Sequence, residues 1–305
     1  EELGKIYEEL KELGCEFVLG SEYLDCLREY DIIFKTPGLS LNIPQFQTVL
    51  QKGVELMSEM QLFFDLCDAR IVGITGSDGK TTTTTLIGKI CEEAGFEVFV
   101  GGNIGTPPLD RVEDLSPDSI VVLELSSFQL QVMKESPHVA VVLNVTPNHL
   151  DVHTTMGEYI EAKKNIYAHQ GDNDYAIFGY DNEVTRSMAR MRQRNTFCFS
   201  VDTEVSNGAF LKGTEIILRR DQKDVVVMDI NDIRLRGRHN VANVMAAILA
   251  TSVLNIELDS IRNTIRNFTG VSNRIEFVRE LDGVKYFNDS SATSPSRSIA
   301  GINSF

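Results

Sequence analysis

Apolar residues in this chain fall into two kinds of run. Four short stretches, at 71–74, 98–100, 120–125 and 139–145, are apolar without polar alternation. That is the pattern of strands covered on both faces of a parallel sheet. The spacing turns helical at 82–94 and 156–168. Past Gly171 shorter strands are expected at 175–178, 197–199, 215–218 and 225–230, then long helices at 240–254 and 261–268. Segments 275–281 and 284–288 flank Asp282-Gly283, a two-residue hairpin turn. Residues 70–295 therefore read as one large α/β domain.

The first seventy residues alternate similarly on a smaller scale. Helical spacing at 1–13, 43–52 and 60–67 is interleaved with short apolar runs at 16–19 and 31–35, and Thr36-Pro37-Gly38 breaks the chain. This predicts a small α/β domain over 1–69, ending near Ala69. The chain starts at Glu1 and stops at Phe305. We expect a fragment at both ends.

One segment carries specific chemistry. Residues 73–85 read GITGSDGKTTTTT. An apolar strand enters, Gly76 and Gly79 make a turn around Ser77 and Asp78, and Lys80-Thr81 open a helix. Glycines let successive backbone N–H groups face phosphate oxygens, and the helix N-terminus adds its positive end. Lys80 would reach the β/γ-phosphates and the Thr81 hydroxyl would ligate Mg²⁺. Ile74 departs from the strict GxxxxGK[ST] form, leaving a shorter TGxxGKT core. Five consecutive threonines make poor helix, so the first of them are expected to serve the site.

Three further side chains are candidates by placement. Glu124 ends the strand 120–125, at the carboxyl edge where open α/β sheets bind ligands; it fits a Mg²⁺ ligand and equally a capping or solvated carboxylate. His149 follows the strand 139–145, and a histidine there is either a hydrogen-bonded structural residue or a ligand. Lys163 and Lys164 are adjacent on a helix, about 100° apart, so one can face the site while the other faces water; spacing alone favours a solvated pair.

Composition narrows the partners. Apolar residues are 42% and charged residues 24%, a globular composition. The net charge of −15 argues against nucleic acid or an acidic membrane surface as partner. No run approaches the roughly 18 apolar residues of a membrane span. Five scattered cysteines without a CxxC pair read as reduced thiols in a cytosol, mostly core filler. Positive runs at 186–194 and 234–238 are read as solvated faces offsetting acidic neighbours.

TGSDGKTT, GGNIG, LELSSFQL, NVTPNHLD, EAKKNIY, RGRHNVAN and NRIEF…FNDSSATSP occur in one order. In that order they resemble the ATP-dependent Mur ligases of bacterial cell-wall synthesis, over most of 15–305. GGNIG with LELSSFQL is most similar to the D-glutamate-adding branch. The resemblance implies an incomplete Rossmann-like uridine-nucleotide domain over 1–69. It implies a P-loop NTPase-like centre over 70–295, with a mostly parallel sheet and a smaller antiparallel sheet. Residues 296–305 would start a linker to a missing C-terminal domain.

It further implies a cytoplasmic, monomeric ligase joining D-glutamate to UDP-N-acetylmuramoyl-L-alanine through an acyl phosphate. Lys80, His149 and Lys163 would act in catalysis. Gly76, Ser77, Asp78, Gly79, Thr81 and Thr82 would hold ATP phosphates, and Asn240, Asn243, Arg274 and Asp289 would surround adenine and ribose. Thr81, Glu124, His149 and a carbamylated Lys163 would bind two Mg²⁺, with Ser126 near an ion or the substrate. Asn103 and Gln129 would contact the muramoyl–alanine substrate, Thr36 the uridine nucleotide, and Thr293 the amino acid. Ser291 stands where family members often carry Lys. Alternatives are a nucleotide- and Mg²⁺-binding fragment inactive alone, or a related ligase using another amino acid or a folate.

Overall fold

The computed structural model describes residues 2–147, 153, 155–192, 194–292 and 295–305. They form two compact units, Glu1–Ser58 and Glu59–Phe305. In the first, α1 (Glu2–Glu12), β1 (Ile32–Phe34), α2 (Pro44–Gln51) and β2 (Glu55–Met57) follow in order. β1 and β2 pair in parallel with Ile33 opposite Leu56. Among the described residues of that unit, these two side chains and Phe46 and Val49 of α2 are the buried apolar ones. The apolar run at 16–19 forms no strand, and Val18 and Leu19 lie exposed.

The second unit opens with α3 (Glu59–Leu66), β3 (Arg70–Thr75), α4 (Lys80–Glu93), β4 (Val98–Gly102), β5 (Ile120–Glu124), α5 (Ser127–Leu130) and β6 (Val139–Val142). It continues with α6 (Met156–Ala168), β7 (Tyr175–Gly179), α7 (Glu183–Met191), β8 (Thr196–Ser200), β9 (Gly208–Lys212), β10 (Glu215–Arg220) and β11 (Lys223–Asp229). It closes with α8 (Arg238–Val253), α9 (Leu258–Asn267), β12 (Glu276–Leu281), β13 (Val284–Asn288) and α10 (Pro295–Ile302). Nine strands make one sheet in the order β11-β10-β9-β8-β7-β6-β3-β5-β4. Neighbours from β4 to β9 are parallel, and β9-β10-β11 are antiparallel. β12 and β13 form a separate antiparallel pair. Asp282 and Gly283 join them with φ of 51° and 79°, the left-handed values a two-residue hairpin turn requires.

Both faces of the parallel strands are covered, which explains their unbroken apolar runs. Val72 and Ile74 point into a cluster with Leu86 and Ile90 of α4, Val244 and Ile248 of α8, and Ile261 of α9. Ile71, Val121 and Val142 point to the other side, among Phe63 and Phe64 of α3, Ile166 of α6 and Met188 of α7. β3 lies between β5 and β6, and the chain visits β4 and β5 on one side before crossing to β6 on the other. The carboxyl end of β3 is thus a topological switch point, where open α/β sheets form a crevice.

Several boundaries differ from the sequence reading. The units divide at Ser58 and not at Ala69, because Met60, Phe63 and Phe64 bury against Ile71 and Val121. Residues 296–305 lie within α10 and the turn after it, in the second unit, and not in a linker. β6 ends at Val142, so Leu143, Asn144 and Val145 leave the sheet and are free to meet the loop after β3. β2, β9 and α7 were not anticipated. β9 begins at Gly208 (φ 140°), where a Cβ would sit 1.8 Å from the Cys198 carbonyl oxygen. Among the five free cysteines only Cys91 is buried, so thiols are a minor part of the core.

Phe63 is fully buried. Phe63→Ala should therefore lower the unfolding free energy of the second unit by about 3–5 kcal/mol. Chemical denaturation followed through a probe in that unit measures it; an unchanged midpoint would detach α3 from this core.

Candidate active site

The loop 76–79 connects β3 to α4 at the switch point. Gly79 caps the helix in the left-handed region, φ 85°. A Cβ there would lie 2.3 Å from Asn243 Oδ1, so loop and α8 meet at a distance only glycine allows. The loop is anchored on the segment after β6. The Ser77 N–H donates to the Asn144 carbonyl at 2.9 Å. The Asp78 N–H donates to Asn144 Oδ1 at 2.9 Å, and Asn144 Nδ2 donates to the Asp78 carbonyl at 3.0 Å. The Ser77 hydroxyl donates to the Thr146 carbonyl at 3.0 Å and lies 3.1 Å from the Tyr159 hydroxyl. With these groups engaged, the first N–H groups of α4 have no intrahelical partner and open at the loop.

Cations converge on that loop. Lys80 Nζ donates to the Gly76 carbonyl at 3.0 Å and the Ser77 carbonyl at 3.2 Å. Burial lowers its pKa, Glu124 opposes that, and Arg297 and Arg274 lower it further. Lys163 is buried at 1% exposure, with Nζ 3.2 Å from both Thr75 Oγ1 and the Gly76 carbonyl. Its ammonium lies over the Tyr159 ring, 4.6 Å from the centroid. Burial and then the Lys80 charge bring its pKa down to about 7. The helical offset works as the spacing allowed: Lys163 turns inward while Lys164 pairs with Glu161 at 2.6 Å in solvent.

Glu124 is buried at the last position of β5. Its Oε2 accepts the Thr81 hydroxyl at 2.8 Å, and its Oε1 accepts Asn103 Nδ2 at 3.1 Å. Arg274 Nη2 donates to the Thr81 hydroxyl at 3.0 Å. Glu124, Thr81, Asn103 and Arg274 are thus one connected group beside Lys80. A hydroxyl and carboxylate oxygens are hard donors, so Thr81 and Glu124 fit Mg²⁺ by ligand type. Among the described residues no three His, Cys, Asp or Glu side chains cluster as a metal site. His149 and Thr293 lie outside the described residues.

The remaining expected residues divide between cleft and scaffold. Thr82, Asn240, Asn243, Arg274 and Asp289 line a cleft of about 740 Å³ beside Asp78 and Gly79. Asn243 Nδ2 donates to Asn240 Oδ1 at 3.1 Å, and Asn240 Nδ2 to the Arg236 carbonyl at 2.7 Å. Asp289 Oδ1 accepts the Ile275 N–H at 3.2 Å. Ile275 has φ 47°, an unfavourable value for a β-branched residue, and Asp289 holds that backbone beside Arg274. Arg274, which lines the cleft, also reaches Thr81 at the loop end. Ser126 and Gln129 form a reciprocal capping box on α5, Ser126 N–H to Gln129 Oε1 at 3.0 Å and Gln129 N–H to Ser126 Oγ at 3.2 Å. Thr36 is exposed on the loop after β1 in the first unit.

Of the threonine run, Thr81 bonds Glu124 and Arg274 and Thr82 lines the cleft, whereas Thr83 and Thr84 are buried with hydroxyls unbonded among the described residues. Nothing in the structure explains those two hydroxyls. Asn144, Tyr159 and Arg297 were not foreseen. Tyr159 lies one helical turn before Lys163 and so on the same face, a signal that spacing carried. Asn144 opens NVTPNHLD; Arg297 had no signal. The expected positive runs are dispersed: Arg238 pairs with Asp202 at 2.6 Å, Arg194 with Asp172, and Arg192 donates to the Tyr167 carbonyl at 3.3 Å.

The Mur ligase middle domain family matches residues 74–251. The chain is 45% identical over 305 residues, its whole length, to UDP-N-acetylmuramoylalanine–D-glutamate ligase of Clostridium botulinum (strain 657 / Type Ba4). It is 46% identical over 298 residues, 98% of its length, to the protein of that name from Acetivibrio thermocellus. It spans 66% and 64% of those two relatives. In fold it is similar to MurF from Acinetobacter baumannii, with TM-score 0.61 at 20% identity, covering 78% of this chain and 54% of that one. It is also similar to the UDP-N-acetylmuramate–alanine ligase MurC from Thermotoga maritima, with TM-score 0.60 at 20% identity, covering 97% and 68%. The glycine loop 76–79, the strand-end Glu124, the end of β3 and the other eight strands of the nine-stranded sheet lie within the matched segment, and the chain belongs to the Mur ligase family.

Proposed function

We propose that the protein joins D-glutamate to UDP-N-acetylmuramoyl-L-alanine with the hydrolysis of ATP to ADP and phosphate. The observation that carries this reading is the group Lys80, Thr81, Glu124 and Arg274 at the end of the glycine loop, in a chain 45% identical to ligases of that name. A carboxylate oxygen of the substrate's L-alanine attacks the γ-phosphorus, the bond to the β-phosphate oxygen breaks, and ADP leaves. The amine of D-glutamate then attacks the acyl carbon; it loses a proton, and phosphate departs.

The chain's part in the first step is positioning and charge neutralisation. The helix N–H groups and Lys80 hold the polyphosphate, exchanging the lysine's two loop carbonyls for phosphate oxygens. Mg²⁺ bound by Thr81 and Glu124 would neutralise phosphoryl oxygens. Asn103 keeps the Glu124 carboxylate turned toward Thr81. Asn240, Asn243, Arg274 and Asp289 line the cleft for the nucleoside, and Asn103, Ser126 and Gln129 face the muramoyl–alanine substrate. In this reading His149 joins the metal set, Thr293 meets the amino acid, and Thr36 serves the uridine nucleotide. The protein acts as a cytoplasmic monomer.

Lys163 adds a second element. An amine reacts with CO₂ only when neutral, and burial beside Lys80 makes that form abundant near neutral pH. The N-carboxylated side chain would be an anion among cations, able to take part in binding a second Mg²⁺.

Lys80→Ala should abolish phosphate release that depends on both UDP-N-acetylmuramoyl-L-alanine and D-glutamate, with a fall of about 10³-fold or more. Turnover preserved in that variant, or equal turnover without D-glutamate, would overturn the assignment. At fixed dissolved CO₂, adduct formation on Lys163 should rise as pH rises through about 7, because deprotonation supplies the nucleophile. Intact-mass measurement should show an increment of one CO₂ that Lys163→Met lacks; an increment unaffected by that substitution would contradict the role.

A further inference from the structure

A carboxylate inside a phosphate loop opposes the ligand the loop is built to hold. Asp78 is such a residue, between Ser77 and Gly79. It cannot swing away by moving its backbone, because Asn144 bonds both its N–H and its carbonyl. Its carboxylate is met by Arg297 of α10, whose Nε donates to Asp78 Oδ1 at 2.6 Å. Arg297 Nη2 donates to the Ser77 carbonyl at 3.1 Å. Lys80 Nζ donates to that same carbonyl. The guanidinium therefore sits beside the lysine ammonium, at one end of the loop.

The pair is partly open, with side-chain exposures of 28% for Arg297 and 44% for Asp78. Both line the cleft. A guanidinium carries N–H groups on more than one edge, arranged to match phosphate oxygens. One edge of Arg297 is used on Asp78 and Ser77, and its other N–H groups have no partner among the described residues. Burial is the main cause of the lowered Lys80 pKa, and the Arg297 charge lowers it further.

We propose that Arg297 binds the terminal phosphates of the nucleotide, keeping one edge on Asp78 and offering the other to the ligand. Asp78 and Arg297 then work as a unit: the arginine cancels the loop's own negative charge and adds a donor beside Lys80. This rests on the nucleotide-binding reading above. A purely mechanical link between α10 and the loop would make a different prediction, because removing Asp78 could not repair the loss of Arg297.

Isothermal titration of the protein with MgATP separates the cases, with thermal melts to confirm folding. Arg297→Ala should weaken binding about tenfold to hundredfold, the range for one charge-assisted hydrogen bond. Arg297→Lys should fall between it and the unmodified protein. Asp78→Asn added to Arg297→Ala should recover about fivefold or more, because it removes the carboxylate left unpaired beside the phosphates. Binding by Arg297→Ala within twofold of the unmodified protein would overturn the proposal, as would a loss that Asp78→Asn does not recover. Failure of the unmodified protein to bind MgATP, or unchanged binding in Lys80→Ala, would overturn the nucleotide reading and this proposal with it.

Discussion

Everything at this site depends on how the loop after β3 is held open. Asn144 bonds Ser77 and Asp78 through its own carbonyl and both ends of its amide. Gly79 has φ 85° and sits where a Cβ would run into the side-chain amide of Asn243 on α8. These constraints are short and local, but they require β3 and β6 to be neighbours, because Asn144 follows β6 directly. The sheet order is therefore a condition for the loop's shape. A helix start of this kind leaves its first N–H groups without intrahelical acceptors.

The second organising feature is concentration of positive charge where little water reaches. Lys80, Lys163, Arg274 and Arg297 approach one loop, and burial penalises the charged state of the two lysines. Glu124 and Asp78 offset part of this charge. An anion bound here would offset this charge, and the attraction would be strong because the surroundings screen it poorly. A protein of net charge −15 can bind polyanions in this way, since only the local field matters.

The sequence was most informative where period and motif coincide. Continuous apolar runs marked β3, β5 and β6 because both faces of the sheet are covered, and TGSDGKT marked the loop between strand and helix. The placement of Glu124 followed from its position at a strand end. It was less informative where partners come from distant segments. Arg297 lies 219 residues after Asp78, and no local pattern announces that pairing. Helix α3 was assigned to the wrong unit because its apolar face does not say which core it joins. Ser126 and Gln129, expected near the substrate, bond to each other as a reciprocal capping box at the start of α5.

The claim that unites these observations is that the loop amides and Lys80 take up a nucleotide polyphosphate. Backbone amide NMR during titration with MgATP tests it at the atoms concerned. The account predicts that the amides of residues 76–82 shift first and furthest, in step with binding. Saturable binding that moves amides elsewhere and leaves those of 76–82 in place would contradict it.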